Sequence, residues 1–92
     1  MANQYMTASA AIGTAAGYQN RASRIFITGD QAVETVGSVT LKTGGTSGTA
    51  MWKAFMDGGS SGQFTIPNVQ FDYVTIDNVE VCIEYYKAHG FK

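Results

Sequence analysis

From Arg24 onward the chain alternates apolar and polar residues in short runs, broken by clusters of Gly, Ser, Asn and Asp. That is the pattern of β-strands joined by turns. Arg24 to Thr28 places Ile25 and Ile27 on one face and Phe26 on the other. Gly29-Asp30-Gln31 is a turn, and 32–36 is expected as a short irregular strand. Ser38 to Thr43 alternates cleanly, with Val39 and Leu41 inward and Ser38, Thr40 and Lys42 outward. The loop Gly44-Gly45-Thr46-Ser47-Gly48 then suits a hairpin connection of about five residues.

The strand that follows, Thr49 to Met56, breaks the alternation. Ala50, Trp52, Ala54 and Met56 point one way, and Met51, Lys53 and Phe55 the other. A half-exposed strand normally carries polar residues on its second face. Here that face is apolar too, and a neighbouring subunit is the expected cover.

A second turn cluster, 57–62, leads into Gln63 to Ile66, where Phe64 and Ile66 lie together. Pro67 lacks a ladder donor and should end that strand or lie on an edge. Val69, Phe71 and Tyr73 share a face, after which Val74 and Ile76 switch parity, so a bulge or sharp bend is expected near Asp72 to Val74. Asp77-Asn78 is the last tight turn. The final strand, Val79 to Tyr86, turns Val79, Val81, Ile83 and Tyr85 inward.

The expected fold is therefore all-β: a small antiparallel β-sandwich or jelly-roll-like barrel of six to eight short strands. Residues 1–23, rich in Ala and small polar residues, are expected as an extended N-terminal arm, with a helical stretch through Ala8 to Ile12 as the second option. The domain proper spans 24–88, and 89–92 is a tail. The arm does not fit a secretory signal, because its first basic residue is Arg21 and Thr7, Ser9, Gly13 and Thr14 dilute its apolar run. No run approaches the ~18 apolar residues that span a bilayer, so no membrane partner is expected.

Composition narrows the function classes. At 92 residues the chain has room for one modest core. Charged residues make up 14%, against ~25% in typical soluble domains. Six Lys and Arg residues scattered along the chain and a net charge of −1 form no basic patch, so nucleic acid is not expected as a partner. A weakly charged surface does little to keep copies apart. Cys82 is the only cysteine, so no internal disulfide can form. It shares a strand face with Glu80 and Glu84, with no adjacent base to activate it, and is expected as a structural thiol.

No catalytic, cofactor or metal site emerges. The 44–48 loop lacks the Lys-Ser/Thr pair that completes a phosphate cradle, since Gly48 is followed by Thr49-Ala50. Asp57-Gly58-Gly59-Ser60 lacks the alternating oxygen ligands and closing glutamate of a calcium loop. His89 has no partner at metal-ligand spacing. Glu80 and Glu84 stand about 13–14 Å apart on an extended strand, beyond the separation of paired glycosidase carboxylates. Cross-strand pairing with Lys42 or Lys53 is their expected role.

Aromatic residues are the remaining functional set. Trp52 is expected in the core. Met51, Phe55 and Tyr86 are the candidate interface residues, with Phe55 and Tyr86 each opposite its strand's main apolar stripe. Exposed tyrosines could instead stack on sugars.

The order of motifs carries a family resemblance. A strand, the turn Gly44-Gly45-x-Ser47-Gly48, the strand Thr49-x-x-Trp52-Lys53-Ala54, a glycine-rich turn, Phe64 to Pro67 and the closing Glu84 to Tyr86 follow one another. Over roughly Arg24 to Tyr86 this resembles small virion proteins of tailed bacteriophages, the capsid decoration (cement) and tail accessory subunits. The resemblance implies a non-enzymatic virion structural protein, made in the host cytoplasm, with its own copies as partners and a trimer as the favoured oligomer. A phage capsid or tail protein is the implied attachment partner. A host-surface or carbohydrate-binding β module of a tail or fibre is the alternative. The family brings no catalytic residues or cofactors.

Overall fold

The computed structural model describes residues 2–13, 18–29 and 36–89. Among these, eight strands form: β1 (Ala2–Met6), β2 (Ala10–Ala11), β3 (Tyr18–Gly29), β4 (Gly37–Thr43), β5 (Thr49–Met56), β6 (Ser61–Phe71), β7 (Tyr73–Asp77) and β8 (Val79–His89). They build two four-stranded antiparallel sheets, one in the order β1-β8-β3-β6 and the other β2-β7-β4-β5. We call these sheet A and sheet B. Consecutive strands cross between the sheets except at β4–β5, so the chain winds as a jelly roll, the arrangement expected from the spacing of strands and turns.

Alternation fills the space between the sheets. Ile25 and Ile27 from β3, Val39 and Leu41 from β4, Val74 from β7, and Val79, Val81 and Ile83 from β8 are all essentially inaccessible. Phe71 and Tyr85 meet edge to face, centroids 5.7 Å apart, and Trp52 meets Phe64 the same way at 5.9 Å on the β5–β6 side. Trp52 is only half-buried, because β5 is the last strand of its sheet.

The stretch 1–23, expected as an arm, supplies β1, β2 and the first half of β3. β1 pairs with β8 from Ala2↔Tyr85 to Met6↔Val81, and Met6 and Ile12 reach the core. No helix forms at Ala8 to Ile12; Ser9 Oγ instead accepts from the Ile76 amide at 2.8 Å. Asn20, 1% exposed, donates through Nδ2 to the Ile12 carbonyl at 2.7 Å, and its Oδ1 has no partner among the described residues.

Three irregularities shape the sheets. On β3, Ala22 faces Tyr85 while Arg24 faces Glu84, so Ser23 is an extra residue. Across β3, β6 takes a longer detour through Ile66 to Asn68, and Asn68 has φ 53°. Pro67 is tolerated there because β6 is an edge strand, as expected. On β5, Leu41 faces Trp52 but Lys42 faces Ala50, leaving Met51 bulged. Ala50 thus lies beside Lys42 on the outer face, where unbroken alternation had put it with Trp52.

The expected bend falls at Asp72, between β6 of sheet A and β7 of sheet B. The residue is a junction. Its carboxylate accepts from the Gly44 amide at 2.9 Å and the Gly45 amide at 3.0 Å. Its own amide donates to the Lys42 carbonyl, and its carbonyl accepts from Ile12. Gly44 and Gly45 have φ of 94° and 83°, which glycine adopts without steric cost. The short irregular strand expected over 32–36 lies outside the described residues except Val36, which is exposed. Of the expected tail, His89 belongs to β8 and 90–92 lie outside the described residues.

Candidate interaction faces

Each sheet turns one face to the core and one outward, and the outer faces carry the exposed apolar groups. On sheet B, pairing sets Phe55 beside Ser38 and Asp77, and Lys53 beside Thr40 and Thr75. Phe55 is 61% exposed and Met51 45%. The Lys53 ammonium lies 5.0 Å from the centre of the Phe55 ring. Both residues expected to lie on a second apolar face of β5 are therefore on the surface.

On sheet A, register aligns Tyr5, Cys82, Phe26 and Gln63 across β1, β8, β3 and β6. Tyr5 is 61% exposed. Its hydroxyl donates to Glu80 Oε1 at 2.5 Å, spanning from the edge strand to the central one. That bond to a carboxylate, followed by desolvation and the carboxylate's negative charge, raises the phenol above its usual pKa of 10.0. The next row holds Asn3, Glu84, Arg24 and Thr65. Arg24 Nε donates to Glu84 Oε1 at 2.9 Å while its guanidinium stands 5.7 Å from the Phe26 ring centre.

Glu80 and Glu84 are thus paired with Tyr5 and Arg24, not with Lys42 or Lys53. Those lysines belong to the other sheet, and strand parity alone does not reveal which sheet a strand joins. Tyr86, the third expected interface residue, is half-buried on the outer face of sheet A opposite Arg21. It shares no face with Met51 and Phe55. The structure therefore divides the three candidates between two opposite faces of the sandwich.

Tyr5 and Glu80 join the set only once β1 is paired. Tyr5 sits in a segment without alternation, so no sequence signal placed it; Phe26 was visible as the lone aromatic opposite Ile25 and Ile27. A shallow depression beside the Ser23 bulge is lined by Ser23, Arg24, Thr65 and Glu84. Among the described residues no three of His, Cys, Asp and Glu converge as metal ligands, and no helix is long and apolar enough to cross a membrane. Cys82 is a half-buried free thiol between Tyr5 and Phe26.

No protein-family model matches the chain, and no curated protein matches it in sequence. Its fold is similar to a solved chain from the Bacillus endospore appendages, described as a family of disulfide-linked pili. The TM-score is 0.59 at 19% identity, over 96% of this chain and 83% of that one. At that identity the likeness establishes the fold: a small all-β domain that also occurs in a structural protein.

Proposed function

We propose that this chain is a non-enzymatic structural subunit that assembles with copies of itself on the surface of a larger particle. The observation that carries this is the pair of exposed aromatic patches on opposite faces of one small sandwich. Two different patches suit heterologous contact, in which one surface of a copy meets another surface of the next and the series closes into a ring or continues as a filament. The trimer implied by the virion resemblance is one such ring. Capsid decoration or tail attachment on a phage particle is the setting that resemblance favours; a pilus is the setting of the similar fold. Many weak contacts held together in either would reinforce one another.

Covalent linkage of the kind named for the pilus does not transfer simply. A continuous disulfide-linked polymer needs two thiols per subunit, and these 92 residues hold one. Through Cys82 alone copies could be joined only in pairs, and extended assembly built from these 92 residues would rest on non-covalent contacts.

Light scattering of the purified protein tests the proposal. Oligomers at tens of micromolar support it, and a strict monomer overturns it. Phe55→Asp should abolish assembly while leaving the circular dichroism spectrum unchanged, because the ring is exposed and contributes little to the core. Copurification with virions would identify the phage setting. Glycan binding lost on Tyr86→Ala, with assembly retained, would favour the carbohydrate-binding alternative.

A further inference from the structure

Building on self-assembly, we infer a specific head-to-tail contact: the Met51–Lys53–Phe55 patch of one copy seats on the Tyr5–Glu80–Phe26 patch of the next, with Lys53 against Glu80. Three observations converge on a second copy as the occupant. The first is charge. Among the described residues the ion pair present is Arg24–Glu84, and neither Lys53 nor Glu80 takes part in one. Each is exposed and stands beside exposed aromatic rings, and their signs are opposite.

The second is placement. β5 packs against β6 at one side of the sandwich, while β1 is the far edge strand of the other sheet. The two patches therefore occupy diagonally opposed corners. A copy that uses its β5 patch on one neighbour keeps its β1 patch free for another, the requirement for a repeating contact.

The third is area. The molecule measures 41 × 25 × 18 Å, so a broad face has roughly 1,000 Å² in projection, and a standard contact of about 800 Å² per partner would take in the flanks of each patch across most of that face. In the free subunit Lys53 and Arg24 each stand over one ring, Phe55 and Phe26, and both rings stay exposed. On docking Lys53 would exchange the ring for a carboxylate, with the rings packing around the pair.

Charge reversal tests this directly. Lys53→Glu alone sets a new carboxylate against Glu80, and Glu80→Lys alone sets a new ammonium against Lys53. Each should raise the concentration at the assembly midpoint about tenfold or more, since like charges in register are costly. The double variant should recover assembly. Mixing the two single variants should also restore contact between unlike copies, because every such junction joins opposite charges. A filament or an even ring then re-forms fully, whereas a three-membered ring keeps one junction between like variants. Circular dichroism confirms that each variant is folded; Lys53→Glu, on an exposed edge, isolates the contact even if loss of the Tyr5 bond weakens the Glu80 variant.

Wild-type assembly that neither single variant disturbs overturns this contact and leaves self-assembly standing. A wild-type monomer overturns both. A mixture as dissociated as the separate variants, with only the double variant recovered, overturns pairing between copies.

Discussion

Replacing Asp72 tests how the two sheets are joined. Its carboxylate holds the amides of Gly44 and Gly45 at 2.9 and 3.0 Å, fixing the hairpin between β4 and β5 against the β6–β7 crossing. A hydrogen bond contributes about 1 kcal/mol net, more when one partner is charged. The Gly44 contact is exposed, so water can take over part of the lost bond, whereas the Gly45 contact is partly buried. Asp72→Ala loses both and should cost about 2 kcal/mol. Asp72→Asn keeps one acceptor but turns an amide N–H toward the other glycine, and should cost about 1 kcal/mol. For a domain of this size the corresponding drops in Tm are roughly 8–16 °C and 4–8 °C.

Thermal unfolding by circular dichroism measures the drop, and amide exchange should show Gly44 and Gly45 losing protection before the β4 amides do. A Tm change below about 2 °C for the alanine variant would refute the junction. So would equal costs for alanine and asparagine, which would mean that the carboxylate's acceptors are immaterial.

Two further outcomes concern single residues. Gly48→Ala should destabilise the domain by more than the Asp72 variants, because a Cβ there would overlap the Thr43 carbonyl oxygen across the hairpin neck; a neutral effect on Tm would show that the loop re-forms freely. The Tyr5 phenol, raised by Glu80, should ionise later than an ordinary tyrosine in an ultraviolet titration, and Glu80→Gln should remove the delay. The proton must be in place for the bond, so its stabilisation is complete below the unfolded pKa near 10 and is lost as pH rises through the higher folded value. A Tyr5 titration indifferent to Glu80→Gln would mean that the bond does not persist in solution.

The strands from Arg24 to Thr28 and in β4 and β8 were legible because one face of each is apolar and the other largely is not. β5 was legible from the glycine-rich turns on either side of it, although both its faces carry apolar residues. β1, β2 and the start of β3 were not, since Asn, Gln, Thr and Ala show no period of two; these segments are strands because β7 and β8 offer ladder partners. The Asp72 bend could be read from the parity switch at Val74, but the Met51 bulge could not, as it appears only in the pairing with Lys42. The same limit governs the interface. Phe55 and Tyr86 lie opposite their strands' inner stripes, as parity places them, and Met51 sits at the bulge, yet parity within a strand says nothing about which sheet the strand joins. Only the fold shows that Tyr86 looks away from the other two, and that Tyr5 and Glu80 complete its side.

The position of β8 also orders events in time. Sheet A is assembled around it, with β1 on one side and β3 on the other, and Ala2 lies opposite Tyr85. A ribosome releases the strand at the centre of that sheet after the strands that flank it. Until β8 emerges, β1 lacks its ladder partner and β3 has only β6, and the inner face of sheet A lacks Val79, Val81, Ile83 and Tyr85 between Met6 and the Ile25–Ile27 pair. Folding must then proceed through pairings distant in sequence, the slow class of two-state topologies. The nascent chain consequently carries unpaired strand edges on β1 and β3 until β8 emerges, and a protein that assembles through its surfaces would be exposed to premature association during that interval.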